Sequence, residues 1–125
     1  VRAIPIAGAK EDPRMLEAAY AAVAKELADG ELVGIFPEGN LTSDGDIAEF
    51  RGGVMKMLEK TPVPVIPMAL SGLWRSLFAR NRHNLRYLYR LFPRIRLSVG
   101  EPVAPGDASP QKLQAAVQEL RGAWR

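Results

Sequence analysis

The sequence predicts one α/β domain, a mostly parallel sheet flanked by helices. Three observations lead there. Apolar stretches of strand length alternate with stretches whose apolar residues recur at helical spacing. The run Leu32-Val33-Gly34-Ile35-Phe36 is uninterrupted by polar residues, as in a strand buried on both faces. No repeat, low-complexity tract or long linker divides the 125 residues.

Taken in order, Ala3-Ile4-Pro5-Ile6 reads as an edge strand, because proline cannot donate to a ladder. Asp12 is placed to cap a helix with Pro13 at its first position. Leu16, Ala19, Tyr20, Val23 and Leu27 form one helical face, and Asp29-Gly30 ends it. Leu32 to Phe36 is the next strand, closed by Pro37-Glu38-Gly39. Ser43-Asp44-Gly45-Asp46 is a loop, and a short helix runs from about Gly52 to Glu59 with Val54, Met55, Met57 and Leu58. A strand from Val63 to Leu70 follows, entered through alternating prolines. Beyond Ser71-Gly72, Leu85, Leu88, Tyr89 and Phe92 share one helical face while Arg82, Arg86 and Arg90 recur on another. Ile95 to Val99 reads as the last strand and Pro102 to Pro110 as a loop. A final helix carries Leu113, Val117, Leu120 and Trp124.

Composition removes several chemistries. With no cysteine, disulfides, thiolate nucleophiles and Cys-ligated zinc are excluded, and the single histidine, His83, argues against a histidine metal cluster. Asp44, Asp46 and Glu49 lack the order of a calcium loop and read as a solvated turn, so no metal is expected. Ser71 stands in no nucleophile elbow, which sets aside a hydrolase built on it with His83. No apolar run has the length of a membrane span, and Val1-Arg2-Ala3-Ile4 has no signal-peptide pattern. The sequence opens without methionine on a strand-like segment, so a piece of a larger parent protein is expected.

Charge is divided unevenly. From Lys60 to Gly100 there is no Asp or Glu but eight basic residues, while the remainder holds nine basic against fourteen acidic. Such a field suits an anionic partner: phosphate, lipid head groups or nucleic acid. Trp74, Phe78, Tyr87, Tyr89 and Phe92 among these arginines favour an anionic membrane surface, with a plain packing helix as the other reading. No RNP-like strand or helix-turn-helix signature supports nucleic acid, and none is expected as a partner.

The chemistry concentrates at Phe36-Pro37-Glu38-Gly39. In an open parallel sheet, ligands gather beyond the carboxyl ends of strands. There Pro37 ends the ladder, Glu38 offers an acceptor and Gly39 lets the backbone approach a ligand. A helix starting near Gly52 could aim N–H groups at an anion. The same residues also suit a tight turn whose Glu bonds nearby amides.

"GIFPEG" followed by "TPVPVIPMAL" resembles two blocks of the PlsC-type glycerophospholipid acyltransferases, F-P-E-G-T-R-S and a strand like V-P-V-x-P-V. The resemblance covers about Ala3 to Val103 and implies part of a glycerolphosphate-acyltransferase-like fold. It implies acyl transfer from acyl-CoA or acyl carrier protein, as donor substrate and with no cofactor, to a hydroxyl of a lysophospholipid or glycerol phosphate. The setting it implies is the cytoplasmic face of a membrane. In that family the histidine of H-x-x-x-x-D deprotonates the acceptor hydroxyl, itself a weak nucleophile. The 125 residues hold no such block: five residues after His83 stands Leu88. The chain is thus expected to be the C-terminal part of an acyltransferase domain, with its base upstream and no activity alone.

Carried over from the family pattern, the substrate-binding candidates are Phe36, Pro37, Glu38 and Gly39, with Asn40 at the next position and Arg51, or the arginines after Trp74, as a compensating cation. Val65, Ile66 and Pro67 match the apolar block, where an ordinary core strand is the other reading. Two departures bear on the acceptor: Asn40-Leu41-Thr42-Ser43 replaces T-R-S, and no arginine stands between Ile6 and Ala9. Both point away from bare glycerol phosphate toward a lysophospholipid with a larger head group. The alternative is a non-catalytic α/β module whose arginine-rich segment binds anionic lipid or, less favourably, nucleic acid.

Overall fold

The structure, a computed structural model, describes residues 3–6, 12–39, 46–72 and 95–123. Its first helix, α1 (Pro13–Ala28), is set at both ends by local chemistry. Asp12 Oδ1 accepts the N–H groups of Arg14 and Met15 at 3.0 and 3.1 Å, and Pro13 takes the first position. At the far end Glu31 N–H donates to the Glu26 carbonyl and Gly30 N–H to that of Leu27, with Gly30 at φ +83°. This is a Schellman stop, which asks for a left-handed residue that glycine supplies without steric cost.

α2 (Gly53–Lys60) packs against α1. Ala19 and Val23 are buried on α1, and Val54, Met57 and Leu58 on α2. The Tyr20 hydroxyl comes so near α2 that a Cβ at Gly53 would meet it at 3.7 Å.

Two strands, β1 (Met68–Ser71) and β2 (Arg96–Val99), pair antiparallel with Met68 opposite Val99 and Ser71 opposite Arg96. The pairing reappears as a bridge in which Val65 and Val103 exchange hydrogen bonds of 2.9 and 2.8 Å. Pro64 and Pro67 have no N–H to donate, which is why the expected strand from Val63 is a ladder only from Met68. α3 (Pro110–Arg121) lies against this pair, capped by Ser109 Oγ on Lys112 N–H at 3.1 Å. The loop before it contains a 3-10 turn at Pro105–Asp107.

The main apolar cluster joins Phe50, Val54, Leu58 and Leu113, with Ile47, Val63, Val65, Val103 and Val117 packed around them. It ties α2, the segment before it and α3 into one body.

Two expected strands differ from the sequence reading. Ala3–Ile6 and Leu32–Phe36 belong to no strand, and Leu32 and Phe36 are 94% and 81% exposed. A strand needs a neighbour to bond, and among the described residues neither segment has one. Met68, Leu70, Leu97 and Val99 likewise leave one face of the strand pair exposed. The arginine and aromatic segment from Trp74 to Arg94, with His83, lies outside the described residues, as do Asn40 and Trp124.

Candidate functional site

The Pro-Glu-Gly bend is a closed turn. Gly39 N–H donates to the Phe36 carbonyl at 3.3 Å, and Gly39 sits at φ +68°, where a β-carbon is disfavoured. The turn is fastened to the segment that leads into α2. Ala48 N–H donates to Glu38 Oε2 at 2.7 Å, and Arg51 N–H to the Pro37 carbonyl at 3.0 Å. The first is a charge-assisted bond, of the stronger kind.

Between turn and segment lies an open hollow of about 540 Å³, lined by Glu38, Ala48, Glu49, Phe50, Arg51 and Gly52. Among the described candidates, Glu38 and Arg51 face it together. Gly39 adjoins it through Arg51, whose Cδ, Nε and Cζ would each lie 3.2 Å from a Cβ on Gly39. Gly52, at the rim, begins α2 without any side-chain cap. The positive end of the helix dipole therefore lies at the hollow's edge.

The other described candidates do not line it. Phe36 is exposed and Pro37 half-buried, both in the turn but not in the lining. Val65 packs on the Phe50 cluster, Ile66 is 43% exposed, and Pro67 is buried with its carbonyl on Gly100 N–H at 2.9 Å. Val65 of the apolar block and Phe50 of the wall thus share one core cluster.

Sequence reasoning missed Ala48, Phe50 and Gln114. Gln114 Oε1 accepts the Phe50 N–H at 3.1 Å from 64 residues away. Such a pairing leaves no local signal, since the donor is backbone and the acceptor sits on a distant helix.

Among the described residues no group of three or more His, Cys, Asp or Glu could hold a metal, and no helix is long and apolar enough to cross a membrane. Against known families, the Acyltransferase model matches residues 2–71, more than half the chain. The chain belongs to the Acyltransferase family. No solved structure matches it. The match takes in the Glu38 turn, the wall at 46–50, α2 and β1, while α3 lies beyond it. Family membership points to acyl transfer as the general chemistry.

Proposed function

We propose that this chain is the acceptor-binding part of a PlsC-type phospholipid acyltransferase domain, taking acyl groups from acyl-CoA or acyl carrier protein to a lysophospholipid hydroxyl. The observation that carries the reading is the hollow in which Glu38, Arg51 and the uncapped start of α2 meet. Arg51 and the α2 amides suit the acceptor phosphate, because each offers positive potential to an oxyanion. Glu38 cannot hold phosphate itself. Its oxygen already on Ala48 fixes the carboxylate, and the group's remaining lone pairs suit an acceptor hydroxyl.

The catalytic base would come from an H-x-x-x-x-D block in residues preceding Val1 of the full-length protein. Those residues would also supply neighbours for Leu32–Phe36, completing a mostly parallel α/β sheet. The basic stretch from Lys60 to Gly100 suits docking on an anionic membrane at its cytoplasmic face. No cofactor enters this chemistry.

Glu38→Gln in the full-length protein tests the reading. Gln keeps an acceptor for Ala48 N–H but removes the charge, so acyl transfer should fall about tenfold or more with the fold intact. Unchanged turnover removes Glu38 from the site. If the wild-type protein transfers no acyl group yet sediments with anionic and not neutral vesicles, the non-catalytic lipid-binding module is the correct reading.

A further inference from the structure

The wall of the hollow is held from two directions. Toward the turn, Ala48 N–H bonds Glu38 and Arg51 N–H bonds Pro37. Toward the C-terminal helix, Phe50 N–H bonds Gln114 Oε1, and Arg121 Nη2 donates to Asp46 Oδ1 at 3.3 Å across 75 residues. Gln114 and Arg121 are two turns apart on α3, so one rigid element grips the segment near both of its ends. Between those grips stands Ala48, whose N–H orients Glu38.

Gln114 is half-buried beside Leu113. A side-chain amide there costs stability unless it is bonded, and its oxygen is spent on a single backbone N–H.

We propose that Gln114 is a positioning residue for Glu38: by holding Phe50 N–H it sets where Ala48 N–H stands, and so where the Glu38 carboxylate points. Arg121 secures the same segment from Asp46. α3 thereby acts on a site that it does not line. The kinetic half of this inference rests on the acceptor-site reading; the structural half does not.

The test uses the full-length protein with Gln114→Leu, Gln114→Glu and Arg121→Gln. Amide exchange is followed at Phe50, Ala48 and Val23, and steady-state rates are measured against lysophospholipid and acyl donor separately. In Gln114→Leu, Ala48 should exchange about fivefold faster or more, as loss of a bond worth about 1 kcal/mol implies, with Val23 unchanged. The acceptor KM should rise by a similar factor and the donor KM should not move. Gln114→Glu keeps an acceptor and should restore both. Arg121→Gln should also speed Ala48 exchange, and it carries the test should Gln114→Leu fail to fold. Faster exchange at Phe50 alone, with Ala48 still protected, overturns the proposal as a purely local role for Gln114. If Ala48 loosens as expected but the wild-type protein shows no acyl transfer, the positioning device stands and the acceptor-site reading falls.

Discussion

A β-carbon on Gly39 would stand 3.2 Å from Cδ, Nε and Cζ of Arg51, closer than ordinary van der Waals contact. The absence of a side chain at one residue thus sets how near the cation of the other comes to the turn.

Gly39→Ala should therefore destabilise the protein on two counts. The left-handed backbone costs an alanine about 1–2 kcal/mol, and the added methyl pushes Arg51 outward. Gly34→Ala is the control, with nothing within 4 Å and no positive φ. Urea denaturation should give a lower midpoint for Gly39→Ala only; equal midpoints would remove both the strain and the close approach.

Leu113 is 4% exposed and meets Phe50, Val54 and Leu58. Leu113→Ala should cost about 2–5 kcal/mol, the usual range for a buried leucine. Leu97, at 60% exposure, is the contrast. Leu97→Ala should stay within about 0.5 kcal/mol, as surface substitutions do. A similar loss at both sites in chemical denaturation would mean that the Phe50 cluster is not the core.

The helix caps are separable from the core. Asp12→Ala and Ser109→Ala should each cost about 1 kcal/mol by leaving first-turn N–H groups without their side-chain acceptor. Asp12→Asn and Ser109→Asp keep an acceptor and should recover most of it. Thermal unfolding reads the difference, and Asn and Ala variants of equal stability would deny Asp12 its capping role.

The Asp12 cap illustrates what was legible in advance, whereas the Ser109 cap emerged only from the structure. Asp12-Pro13, Asp29-Gly30 and the spacing of Leu16, Ala19, Tyr20 and Val23 specify α1 through interactions that span five residues or fewer. α2 and α3 are local in the same sense, and the structure has each near its expected place. Leu32–Phe36 is apolar enough for a buried strand, but a strand is completed by partners that sequence spacing does not specify. The expected sheet and the observed antiparallel pair therefore meet only at Met68–Ser71 and Arg96–Val99.

The site divides along the same line. Sequence alone determined the turn at Pro37-Glu38-Gly39, the carboxylate within it, the start of α2 beside Arg51, and the lack of H-x-x-x-x-D, because each belongs to a short run of adjacent residues. Tertiary structure decided that Glu38 bonds Ala48, that Gly39 lies under Arg51, and that Gln114 and Arg121 hold the wall from α3. Those pairings depend on how the core around Phe50 and Leu113 brings distant segments together, and burial of a shared apolar cluster leaves no periodic mark on the polar residues it aligns.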